Sequence, residues 1–204
     1  MIQVKNVSKK LKDKMVLQEI TLNFEEGKMY VLQGHNGCGK TMLLRLLCGL
    51  IAPTTGEVCN DMEYEYGVMI ENPRFIEEES GFYNLKYLAS VRKQIGTEHI
   101  NDMMQKFGLF SVKDQKVKKY SLGMKQRMGI IQAIMENPKV VLLDEPFNAL
   151  DEKNYNIALE ELVKKKKDGG IVIVAAHMLQ EKALELFDQK IIMDAGRVKE
   201  IVTL

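Results

Sequence analysis

Eight consecutive residues, Gly34-His35-Asn36-Gly37-Cys38-Gly39-Lys40-Thr41, carry the strongest chemical signal in the chain. Glycine, four residues, then Gly-Lys-Thr is the pattern of a loop that cradles polyphosphate, and here it follows an apolar strand and precedes a helical pattern. The glycines let the backbone curl so that successive N–H groups face a β-phosphate, while the helix start adds positive potential. Lys40 is placed to reach the β- and γ-phosphates, and the Thr41 hydroxyl is a hard-oxygen donor suited to Mg²⁺. Cys38 reads first as a small side chain that the loop accommodates and second as a redox-sensitive thiol.

Further along, the strand-like run Val140-Val141-Leu142-Leu143 ends in Asp144-Glu145-Pro146. Beside a phosphate loop, Asp144 is expected to hold Mg²⁺ through water and Glu145 to orient or deprotonate an attacking water. Adjacent acids after a strand are weak evidence alone; the loop makes them persuasive. A second glycine-bearing helix start lies in KYSLGMKQR, residues 119 to 127. There the Ser121 side chain can cap a helix and, with the Gly123 N–H, face an anion, which makes this stretch half of a phosphate site. Asp151, by composition, is a helix N-cap before EKNYNIALEEL. His177, alone after IVIVAA, is by type more often a satisfied structural residue than a catalytic one.

The elements that must position these residues follow from periodicity. MIQVKNV, VLQEITLNF and MYVLQ read as strands, TMLLRLLCGL as a helix, and VVLLD, IVIVAA and KIIMDA as strands joined by helical segments. Unbroken apolar strands alternating with helices indicate a parallel sheet covered on both faces. Between about residues 72 and 137 the texture becomes helical, with GFYNLKYLASVRKQI and HINDMMQKFGLF, bracketed by Pro73 and Pro138. A helical insertion in an α/β core is expected. The lysine run 164 to 167 before Gly169-Gly170 suits the end of a helix, and Lys9, Lys10, Lys12 and Lys14 suit a solvated hairpin.

With 204 residues and 46% hydrophobic content, the chain can bury one sizeable core. Its 29 basic and 28 acidic residues leave a net charge of +1, so no global field favours nucleic acid or an anionic membrane. No apolar run approaches the ~18 residues that span a bilayer, and the N-terminus lacks a secretory h-region. Three cysteines do not make a disulfide framework, and with three histidines they show no zinc-ligand spacing. No regulatory domain is expected after RVKEIVTL.

Together these residues resemble one family, the ATP-binding subunits of ABC transporters, over nearly the whole chain. The resemblance rests on the two loops, on Tyr120-Ser121-Leu122-Gly123-Met124 followed by Lys125-Gln126-Arg127, on Asn148-Ala149-Leu150-Asp151 and on His177. It implies an α/β P-loop NTPase fold: a RecA-like parallel-sheet core with an antiparallel β subdomain and an inserted α-helical subdomain, one domain over 1 to 204. It implies ATP hydrolysis with Mg²⁺ and a nucleotide sandwich between two subunits, identical or related, in which Ser121 and Gly123 of one cap the γ-phosphate bound by the other. His177 would contact that phosphate and help hold the attacking water, and Asp151 would couple the two sites.

The resemblance also implies separate membrane-spanning permease subunits, a place on the cytoplasmic face of the cell membrane, and no nucleic-acid partner. Glu71 stands where the family usually has glutamine and would join Thr41 and Asp144 as a Mg²⁺ ligand; with YSLGMKQR it resembles the branch that exports bacitracin-like or lantibiotic peptides and other drugs. Leu11 replaces the adenine-stacking aromatic and Met124 a ribose-reaching glutamine, so GTP should be hydrolysed within about tenfold of ATP, ~1.4 kcal/mol. A soluble relative acting on ribosomes or nucleic acid is the alternative. A small-molecule phosphotransferase would leave KYSLGMKQR, NALD and His177 unexplained.

Overall fold

A computed structural model describes residues 1–60 and 62–204. Strands β1 (Ile2–Leu11), β2 (Lys14–Phe24), β3 (Lys28–Gln33), β4 (Thr55–Asn60) and β5 (Tyr66–Met69) occupy the first third, with α1 (Lys40–Leu47) between β3 and β4. Next come α2 (Gly81–Arg92), α3 (Thr97–Lys106), two 3₁₀ turns and α4 (Leu122–Ile134). The remainder alternates: β6 (Val140–Asp144), α5 (Glu152–Lys167), β7 (Ile171–Ala175), the one-turn α6 (Glu181–Leu184), β8 (Gln189–Asp194) and β9 (Arg197–Thr203).

Six strands form the central sheet in the order β5-β6-β7-β3-β8-β9, parallel except for the edge pair β8 and β9. Every residue of β6 and β7 is buried, as helices or a second sheet cover both faces. Because side chains alternate across a strand, the sheet feeds two separate cores. Met29, Val31, Val141, Leu143, Val172 and Val174 share a core with α2, α3, α4 and α5. Tyr30, Leu32, Val140, Leu142, Ile171 and Ile173 face α1 and a three-stranded antiparallel sheet of order β2-β1-β4. Phe24 packs edge-on against Tyr30, their ring centroids 4.9 Å apart, and so fastens that sheet to the central one.

Two details differ from the periodic reading. The helical patterns extend to Leu50, Ile95 and Phe110, but α1, α2 and α3 stop at Leu47, Arg92 and Lys106. In α2 the stop is Lys93, left-handed at φ 56°, whose N–H still bonds the Ala89 carbonyl. Strand β4, TGEVCN, carries no apolar alternation, because only Val58 and Cys59 are half-buried; pairing with β1 makes it a strand. Among the described residues, no helix is long and apolar enough to cross a membrane.

Candidate active site

The phosphate loop runs from the end of β3 to the start of α1, at the carboxyl edge of the parallel strands. Gly34 lies so close to β8 that an added Cβ would stand 2.3 Å from the Met193 carbonyl oxygen and 2.6 Å from Cys38 Sγ. Lys40 is 6% exposed and its Nζ donates to the carbonyls of Gly34 (2.7 Å) and His35 (3.4 Å), so the ammonium sits inside the loop's own curl. The Cys38 side chain is fully buried and its carbonyl accepts from Gly196 N at 2.9 Å. That burial favours the packing reading over the redox one.

His35 meets two oxygen acceptors. Nδ1 lies 2.8 Å from the Asn36 carbonyl and Nε2 3.0 Å from Asp194 Oδ1. Both ring nitrogens can donate only in the imidazolium form. The Asn36 carbonyl first, then the Asp194 carboxylate, hold the His35 pKa above its ordinary value.

On the opposite wall, β6 delivers Asp144, 6% exposed, to within a hydrogen bond of α1: Thr41 Oγ1 donates to Asp144 Oδ2 at 2.7 Å. Glu145 follows in a left-handed conformation, φ 48°, that a residue with a Cβ adopts only when neighbours impose it. Its N–H bonds the Ala175 carbonyl at 2.8 Å, and its Oε2 accepts from the His177 N–H at 3.2 Å. The exposed His177 thus meets Glu145 through its backbone, just past β7. An open cleft of about 340 Å³ lies between these walls, lined by Val16, Asn36, Gly37, Gly39, Lys40, Thr41, Met42, Asp144 and Glu145.

Thr41 and Asp144 fit Mg²⁺: a hydroxyl and a carboxylate, both hard oxygens, already adjacent and opening onto the cleft. Glu71 is not assembled with them. Its carboxylate pairs with Arg45, one helical turn beyond Thr41, at 2.6 Å, and the residue is left-handed at φ 61°. Leu11, at the end of the β1–β2 hairpin, is 41% exposed, and Val16 is the apolar residue of β2 that lines the cleft.

Ser121, Gly123 and Asp151 form a second cluster outside the cleft walls. Ser121 caps α4 by accepting from Met124 N at 3.2 Å, and its neighbour Leu122 is 62% exposed. Gly123 has no room for a side chain, because an added Cβ would lie 2.6 Å from the Ala149 carbonyl oxygen. Asp151 caps α5 by accepting from Asn154 N at 2.8 Å; that N–H, the Asn154 side chain and more distant Arg127 hold its carboxyl below the usual range. The N-terminal end of α4 therefore packs against the loop that leads into α5, with Ser121 and Asp151 on the surface. Sequence reasoning missed Arg45, Asp194 and Val16, each joined to the site by contacts between distant segments.

The chain matches the ABC transporter family model over residues 17–148. It is 41% identical to an uncharacterized ABC transporter ATP-binding protein, YybJ, of Bacillus subtilis, over 98% of this chain and 95% of that protein. The bacitracin transport ATP-binding protein BcrA of Enterococcus faecalis is 32% identical over all of this chain and 69% of its own length. A lantibiotic transport ATP-binding protein, SrtF, of Streptococcus pyogenes is 30% identical over 89% of this chain and 82% of its own. A dimeric ATP-binding cassette solved in a post-hydrolysis state with ADP and Pi superposes with a TM-score of 0.89 at 25% identity, covering 100% of this chain and 99% of the other. A P-loop cleft with an acidic pair opposite it, in a chain matched this widely, leads to one conclusion: the protein belongs to the ABC transporter ATP-binding family and is an ATPase.

Proposed function

We propose that two copies of this subunit, or one copy and a related chain, close around two Mg-ATP and drive separate membrane-spanning subunits. The observation that carries this reading is the division of the chemistry between two surfaces of one chain. Lys40, Thr41, Asp144 and Glu145 line the cleft, whereas Ser121 and Gly123 stand outside it at a helix start that suits phosphate. A second chain brings the missing half. Gly34 to Thr41 bind the nucleotide's phosphates, Ser121 and Gly123 cap the partner's γ-phosphate, and Asp151 couples the two sites.

Lys40 exchanges the Gly34 and His35 carbonyls for phosphate oxygens, a stronger charge-assisted bond. Thr41, Asp144 and, once released from Arg45, Glu71 would hold Mg²⁺, which would supply positive charge to offset that of the phosphates. Glu145 takes the proton of the attacking water while His177 helps fix that water beside the γ-phosphate. With Val16 and Leu11 offering no aromatic ring to the base, selectivity for adenine is relaxed.

The helices between β5 and β6 carry the motion to the permease, at the cytoplasmic face of the membrane. Similarity to bacitracin and lantibiotic transport ATP-binding proteins supports a drug or peptide as exported cargo. The test is affinity purification of the tagged chain from native membranes. A co-purifying polytopic membrane protein that changes ATP turnover when reconstituted is expected. Ribosomes or nucleic acid as the stoichiometric companion would overturn the transport reading.

A further inference from the structure

Glu145 keeps a left-handed backbone, and three groups from other segments hold it there. Its N–H bonds the Ala175 carbonyl and its carboxylate accepts from the His177 N–H; both of those partners are main chain. The third is a side chain: Gln126 Nε2 of α4 donates to the Glu145 carbonyl at 2.8 Å, shorter than the 3.3 Å bond that oxygen accepts from Asn148 N. Gln126 is 5% exposed, so its amide is committed to the interior. A peptide plane fixed on its carbonyl side fixes the direction of the preceding Cα–Cβ bond, and hence of the carboxylate. Gln126 also lies five residues after Ser121 on the same helix, about 7 Å along its axis.

We propose that Gln126 is a positioning residue for ATP hydrolysis: it aims the Glu145 carboxylate at the water site and ties that aim to the helix that begins at Ser121. The assignment rests on Glu145 as the base. Misaiming a catalytic group by about 1 Å costs on the order of 10²-fold in rate without touching ground-state affinity. Gln126→Met keeps the volume and removes the donor. Its kcat is expected to fall at least tenfold while the dissociation constant for Mg-ATP stays within about twofold of the parent. Because Gln126 acts through Glu145, adding Gln126→Met to Glu145→Gln should lower turnover by no more than a further twofold.

If the Met variant does not fold, Gln126→Glu, which offers no donor when ionised, is judged by the same criteria. A fall in kcat below tenfold, a parallel loss of nucleotide affinity, or losses that multiply in the double variant would each overturn the role of Gln126. A parent whose turnover survives Glu145→Gln would overturn the reading of Glu145 and this one with it.

Discussion

The cleft and the α4–α5 corner are both built on helix starts, yet they are finished to different degrees. In the cleft, bonds between segments far apart in sequence already join working groups, Thr41 to Asp144 and Glu145 to the end of β7, while Lys40 is held by its own loop's carbonyls. At the corner, the bonds are local caps, Ser121 to Met124 and Asp151 to Asn154, and the side chains face outward. The cleft is preorganised to bind; on the function proposed above, the corner is the surface a partner chain meets. Substitutions of the cleft's phosphate-binding groups should therefore damage binding and turnover together, and substitutions at the corner, or of Glu145, turnover alone.

The largest effect tests the cleft. Lys40→Ala removes the ammonium held inside the loop's curl, and turnover should fall by about 10³-fold with a large loss of nucleotide affinity in equilibrium titration. Ser121→Ala should lower turnover by about 10- to 100-fold while the isolated chain binds Mg-ATP as the parent does; equal losses in both would erase the distinction between the regions. Glu71→Gln, between the two, should change Mg²⁺ dependence by a few-fold. Glu71 must leave Arg45 before it can take a cation, so the parent should titrate more steeply with Mg²⁺ than the glutamine variant. Identical titrations would remove Glu71 from the metal site.

The smallest effect is at His35. Its folded pKa is raised, so its contribution to stability is complete below the unfolded value of about 6.5 and is lost as pH rises through the folded value. The charged groups facing it are Asp194, which favours the imidazolium, and Lys40, which opposes it. The melting temperature should decline slightly over that window in the parent and be flatter in Asp194→Asn; a steeper decline in the variant would contradict the pairing.

Where local pattern and chemistry coincide, the sequence was readable. MYVLQ followed by GHNGCGKT declares a strand, a loop and a helix in thirteen residues, and Ser121 and Asp151 announce themselves as caps; all of these stand in the structure as expected. What was not legible depends on contact across the fold. Nothing near Glu71 shows that Arg45 will claim its carboxylate, since a pair 26 residues apart leaves no periodic trace. Gln126 reads as one polar residue of a helix until β6 lays the Glu145 carbonyl against it. TGEVCN becomes a strand because β1 has a free edge, not through its own composition.

The central claim is that the corner of one chain completes the cleft of another. Sedimentation of the Glu145→Gln protein at saturating Mg-ATP, where hydrolysis is blocked and closed assemblies accumulate, addresses it directly. The account predicts a dimer that dissociates when nucleotide is withdrawn and does not form in the Glu145→Gln, Ser121→Lys double variant. A protein that stays monomeric at high concentration under those conditions would contradict it.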